Sequence, residues 1–481
     1  MEETTPLLSS ERSERDAEAA TLKTPLATPL PKLQLGIVTC IKLVEPVAYV
    51  QIFPYINAFI SSLHVTDDPK KIGFYSGLVE STFAVFQLVA IYNLSKLSDK
   101  IGRRPVLLCG VTGVALTTIL FGLSTSFPMM LVVRAIAGLC SGNSAVSQSI
   151  VGEITDSSNV GLATAVYGLS WPIGAVLGPL LGGGLSNPAE KFSWLNWEFL
   201  RRHPYFLPCG VSGALSLAAV TVGYFFLQES LPSKRVSRQP SFSSECSETE
   251  TITSAEPVGM KTLLSMPIMF ALSGSAFAFS FLSVTFEVIF VLYSYTAVLD
   301  GGLGFPPSQI GYSLSISGIV ATAIQLLLLP WLLRTFNKAK LYHWSMCIFL
   351  VIFPLLSVLN LIARSGFDEA TGLLTSHTTA AIWACVIVIL TLLRTSNLGY
   401  AFSMILVKEN CPNSASLGTT NGLITFVQCM ARAVGPAFIS STFALSVDRN
   451  IMGGFGWLVP MMLISSAGAY QSFKVYREQA N

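Results

Sequence analysis

Twelve apolar stretches, nearly free of charge, follow one another along most of this chain of 481 residues. They run approximately over 36–62, 73–95, 105–126, 128–150, 161–184, 205–228, 265–297, 309–333, 341–362, 378–406, 414–445 and 453–473. About 20 residues of helix cross the roughly 30 Å of hydrocarbon in a bilayer, so each stretch is long enough to span one. Inside lipid every backbone N–H and C=O must be satisfied within the segment, which leaves the helix as the form for such runs. Composition agrees, with 51% hydrophobic and 12% charged residues, against about 25% charged in a soluble domain. The fold class expected is all-α integral membrane.

The stretches fall into two sets of six. Residues 1–35 form a polar tail, 36–228 a first six-helix bundle, 229–264 a polar linker, 265–473 a second bundle and 474–481 a closing tail. The linker contains "SKRVSRQPSFSSECSETETITS", in which Ser241 follows Arg238 as a weak phosphorylation pattern. Acidic residues Glu2, Glu3, Glu11, Glu14, Asp16 and Glu18 and the lack of an apolar core distinguish the tail from a cleaved signal. Lys and Arg concentrate on the faces that carry the tails and linker, so both termini are expected in the cytosol. "ETTPLL", Glu3 to Leu8, is similar to dileucine sorting signals. Plasma membrane and vacuole both fit. The halves also echo each other: a shift of 238 brings Ile72-Gly73 onto Ile310-Gly311, and a shift of 257 brings Gly178-Pro179 onto Gly435-Pro436. Helix 8 thereby repeats helix 2, and helix 11 repeats helix 5, as in repeat-built transporters.

Three motifs narrow the class. "LSKLSDKIGRRPVLL" between helices 2 and 3 supplies Asp99, Gly102, Arg103 and Arg104, where glycine permits a tight turn and the acid can face the positive end of a helix. "RAIAGLCSG" in helix 4 carries Arg134, which must face a cavity or a carboxylate. "GAVLGPLLGG" in helix 5 places Gly174, Gly178 and Gly182 on one face, with Pro179 as a bend and Gly183 beyond. Together these resemble the loop, helix-4 and helix-5 signatures of the major facilitator superfamily, with Ser95 in place of the loop's first glycine and Ala137 in place of a glutamine. "EPVAYVQIFPYI" and "HPYFLPCG" are similar to fungal members. The resemblance implies two six-helix bundles around a central cavity and a twelve-span drug:proton antiporter. It also implies a cytosolic gate at Asp99–Arg104 that meets helix 11, beginning near Asn413 and Ser414.

Seven ionisable residues fall inside the apolar stretches: Lys42, Glu45, Glu80, Arg134, Glu287, Arg394 and Arg432. Lys42, Glu45 and Tyr49 share a face of helix 1, with Glu45 roughly 14 Å beyond Gly36 at 1.5 Å per residue. A carboxylate there can load and release a proton, so Glu45, Lys42, Glu80 and Arg134 are the expected proton-coupling residues. Arg394 and Arg432, with no evident carboxylate partner, read as structural ion-pair members or side chains reaching a helix end. Glu287, Gln325 and Asn421 are the second-half cavity candidates, and Trp171, Phe281, Phe286, Phe290, Tyr293 and Trp383 the aromatics that could line an apolar cargo site.

No nucleophile-and-base set points to an enzyme, no Walker signature to ATP-driven pumping, and no cysteine pair to a metal. No cofactor, metal or nucleic acid is expected. The partners expected are a small organic substrate, protons and lipid, for a monomer. The function expected is proton-coupled export of amphipathic or cationic organic molecules, such as drugs or secondary metabolites, by alternating access. Import of a nutrient or metabolite and a non-transporting sensor are the alternatives.

Overall fold

The computed structural model describes residues 30–68, 71–156, 159–231, 260–368, 373–412 and 417–480. The stretch Glu3–Leu8, Ser241, Asn413 and Ser414 lie outside them. Twelve main helices follow in order. The first half holds α1 (Lys32–Val50), α2 (Ile72–Ile101), α3 (Arg103–Gly122), α4 (Phe127–Ile154), α5 (Leu162–Leu185) and α6 (Phe206–Phe226). The second holds α7 (Pro267–Tyr295), α8 (Pro307–Thr335), α9 (Lys338–Ser365), α10 (Ser376–Glu409), α11 (Leu417–Asp448) and α12 (Leu458–Ala480). Apart from a two-residue ladder between Phe367–Asp368 and Leu373–Leu374, the described residues carry no strand.

The first eleven are long and apolar enough to cross a membrane. In α12 the last turns carry Gln471, Lys474, Arg477 and Glu478, which dilute its apolar character. It nevertheless packs along α7 and α9 as the last member of the second bundle.

Prolines and local irregularities shape the helices. Pro54 cannot continue a helix past Val50, because its ring would meet the carbonyl four residues back. The chain therefore turns through Gln51–Tyr55 before one more short helix, Ile56–Ser62. In α8 a π-helical turn spans Ile324–Leu328 just ahead of Pro330, the kind of widened turn that often marks functional positions.

Within the first half α1 lies against α5 and α6, α2 against α4, and α3 against α6. The halves meet through two crossed pairs, α2 with α11 and α5 with α8. Under the internal repeat these pairs are equivalents, since α8 repeats α2 and α11 repeats α5. The apolar core is asymmetric. One cluster joins Phe53, Tyr55, Phe59 and Met130 of the first half to Phe286, Phe290, Tyr293 and Trp457 of the second. A separate cluster of first-half residues, including Val38, Ile41, Leu107, Ile150 and Leu227, sits at the end nearest the linker. Among the described residues the halves are thus joined into one apolar core on the face away from the linker.

Candidate functional site

The glycines of α5 explain how that far face closes. A Cβ added at Gly178 would stand 3.1 Å from the Val47 carbonyl oxygen and from the Gln51 nitrogen, and one at Gly174 2.6 Å from Pro46. At Gly182 it would land on the Gln51 carbonyl. These three positions let α5 lie directly on the backbone of α1. Gly183 points the other way, across the halves: a Cβ there would be 2.9 Å from the Gly311 Cα of α8. Ser315 adds a hydrogen bond from its hydroxyl to the Val176 carbonyl at 3.0 Å. The equivalent crossing uses Gly77, whose added Cβ would lie 2.7 Å from the Pro436 carbonyl of α11, and the Ala437 N–H donates to Ser81 at 2.9 Å. Small residues at close crossings are the usual means of joining helices in lipid. Lys191, beyond α5, caps the helix end by donating to the Gly183 carbonyl at 2.7 Å.

The seven intramembrane ionisable groups sort by distance. Lys42 donates to Glu45 at 2.6 Å. Arg134 donates to Glu80 at 3.0 Å, with both side chains almost wholly buried and the guanidinium over the ring of Phe83 at 4.7 Å. Arg394 donates to Glu287 at 3.0 Å and to the Ser317 hydroxyl at 2.7 Å. Among the described residues, Arg432 has only the Cys429 thiol, at 3.2 Å. Arg394 therefore does have a carboxylate partner, one that 107 residues of separation hid from sequence reasoning. Arg432 is not a side chain reaching a helix end either.

It faces a cavity of about 490 Å³ between the halves. Lys42, Glu45 and Tyr49 of α1 line it, with Gln87 of α2, Gln148 of α4, Tyr167 and Trp171 of α5, Tyr400 of α10 and Asn421, Gln428 and Arg432 of α11. On α2 and α11 these residues lie on the linker side of Gly77 and Pro436, so the cavity is blind at the small-residue closure. Arg432 stands one turn from Pro436, at that blind end.

Of the expected residues, Glu45, Lys42 and Asn421 share this cavity. Glu80 and Arg134 form their own buried pair inside the first half. Glu287 is held by Arg394, and Gln325 lies in the π turn of α8, its amide 4.0 Å from where a Cβ on Gly168 would be. Among the aromatics Trp171 lines the cavity. Phe281, Phe286, Phe290 and Tyr293 do not: they are buried in the core, because α7 is surrounded by neighbours. Trp383 stacks on Phe305.

The loop between α2 and α3 is a charged cluster on the linker side. Asp99 accepts from Arg103 at 2.6 Å, and Arg103 also donates to Glu153 at the end of α4 at 2.9 Å. The acid found at the positive end of a helix is Glu229 instead of Asp99: its oxygens accept the Arg103 and Arg104 backbone N–H groups at 2.8 and 3.2 Å. Gly102, at φ +115°, adopts a backbone that favours glycine, and a Cβ there would also be 2.5 Å from Glu229. Ser230 completes the cluster, donating to Glu153 at 2.5 Å. Sequence reasoning missed Glu229 and Glu153, although both stand at helix ends beside basic residues. In the second half Asn337, at the position repeating Asp99, caps α9 by accepting the Ala339 N–H at 2.9 Å, and Lys338 pairs with Glu409 of α10.

Two pseudo-equivalent bundles around a blind polar cavity have counterparts among known proteins. The major facilitator-type transporter psiT2 of Psilocybe cyanescens is 43% identical over 94% of this chain and 92% of its own length. The major facilitator superfamily multidrug transporter mfsB of Aspergillus fumigatus is 26% identical over 92% and 83%. A solved bacterial homolog of the human lysosomal transporter Spinster, inward-facing and occupied, superposes with a TM-score of 0.65 at 14% identity, over 94% of this chain and 97% of that one. The Major Facilitator Superfamily model matches residues 49–436, from the cavity face of α1 to the proline of the α11 closure, and the chain is a multi-pass transporter that belongs to this family.

Proposed function

We propose that the protein is a proton-coupled secondary active transporter that exports small organic molecules by alternating access, its cavity open here toward the cytosol. The observation that carries this reading is the Lys42–Glu45 pair, a titratable contact 2.6 Å long in the wall of the cavity. A carboxylate held by one cation can exchange that partner for a proton when the surroundings change. The crossings of α5 with α8 at Gly183–Gly311 and of α2 with α11 at Gly77–Pro436 give the halves a surface on which to rock. Export is supported by a relative named as an efflux pump, azaK of Aspergillus niger, 27% identical over 95% of this chain and 92% of its own length. The Glu80–Arg134 pair, directly behind the lining residue Phe83, and the Glu287–Arg394 pair act as supports that hold α2 to α4 and α7 to α10.

The test is cargo flux in proteoliposomes with an imposed pH gradient. Wild type concentrates cargo in response to the gradient. Glu45→Gln, at matched reconstitution, loses that response while retaining cargo binding. A Glu45→Gln protein that still accumulates cargo against a gradient overturns the role of Glu45.

A further inference from the structure

Charge in the cavity is unbalanced. Of the seven intramembrane ionisable groups, three carboxylates are matched to three cations, and Arg432 is left over. Its guanidinium has five N–H donors and, among the described residues, only a thiol to receive one of them, and a thiol is a weak acceptor. A guanidinium cannot lose its charge to escape this situation. Lys42, the other cation of the cavity, is matched by Glu45 at 2.6 Å, so Arg432 is the unbalanced positive charge and it stands at the blind end. Around that end stand aromatic faces: Tyr49 lies 5.3 Å from Phe83 and 6.3 Å from Trp171, centroid to centroid.

We propose that the cavity takes an amphipathic organic anion, with its carboxylate, phosphate or sulfate group on Arg432 and its aromatic or apolar body against Tyr49 and Trp171. The planar fork of an arginine matches two oxygens of such a group, and the bonds are charge-assisted. An organic cation would instead have to lie beside the unbalanced charge of Arg432, with Glu45 already engaged by Lys42. The proposal keeps the amphipathic cargo expected from the sequence and departs from the cationic one. The proposal rests on the reading of this cavity as the cargo site and concerns equilibrium binding, so it holds whichever way the cargo moves.

The experiment is equilibrium dialysis of the purified full chain against one scaffold with four head groups: naphthalene-2-carboxylate, 2-naphthyl phosphate, 2-naphthylmethylammonium and 2-naphthylmethanol. At least one anion should bind about tenfold tighter than the ammonium and the alcohol, the scale of one good charge-assisted contact. Arg432→Gln should remove that preference and leave alcohol binding within about twofold. Arg432→Lys keeps charge without the fork and should keep a weakened preference. Tightest binding of the ammonium, no binding of any of the four by wild type, or an unchanged anion-to-alcohol ratio in a monodisperse Arg432→Gln protein overturns the proposal. An anion that binds but is not moved by a pH gradient in vesicles overturns proton-driven export and leaves this proposal standing.

Discussion

The Glu80–Arg134 pair shows how a charged residue persists at membrane depth. Glu80 is 3% and Arg134 5% exposed, and removal of one partner from such a pair leaves an uncompensated charge, at a cost of about 3–5 kcal/mol. Arg134→Ala and Glu80→Gln should therefore both lower the thermal unfolding midpoint, Glu80→Gln at least as much, because the guanidinium it leaves cannot lose its charge whereas a Glu80 left alone can take up a proton. Thermal unfolding of both variants in one detergent checks this, and an Arg134→Ala protein as stable as wild type would show that water already serves the site. Residues at this scale were partly legible. Lys42 and Glu45 are three apart on one helix, so their contact follows from helical geometry. Glu80 and Arg134, or Glu287 and Arg394, meet across helices, and no local periodicity reports which helix faces which.

Helix α5 is where element-level arguments can be tested most directly. Gly178 faces the α1 backbone, whereas nothing lies within 4 Å of a Cβ placed on Gly184. Gly178→Leu should overpack the crossing by about 1–3 kcal/mol and reduce transport while the protein still reaches the membrane. Gly184→Leu, six residues along the same helix, should transport like wild type. Flux at matched surface expression separates them, and equal behaviour of the two would remove the close crossing from the mechanism. The helices themselves were legible because lipid demands long apolar runs. Their interruptions were less so: the α1 break follows from Pro54, but the π turn at Ile324–Leu328 has no equally plain signal. The weak repeat equated α8 with α2 and α11 with α5, but that α2 meets α11 and α5 meets α8 became visible only in the packing.

For the whole molecule, the consequence of a one-sided core is one-sided access. Asn421 lies toward the linker end of the cavity, so in Asn421→Cys a membrane-impermeant thiol reagent should modify the new cysteine from the linker face and not from the other, against the unsubstituted protein as background. Equal labelling from both faces would show that the closure at Gly77 and Gly183 is not a barrier. The second half also keeps an acid–base contact on the linker face. It does so by recruiting Glu409 from α10 to Lys338 instead of placing an acid in the loop, a substitution that position-by-position comparison of the halves could not show.

The closure on the far face is made of glycines, serines, a carbonyl and an N–H, and each of the ion pairs named here lies inside one half. A lock of that kind has nothing for dissolved ions to screen. The Asp99–Arg103 contact on the linker face is different, since Asp99 is more than half exposed and such contacts weaken as the Debye length shrinks to about 3 Å at 1 M salt. Ionic strength thus acts on that exposed contact and not on the seam between the halves. A concentrated electrolyte weakens that exposed contact within the first half and leaves the opposite seam between the halves untouched.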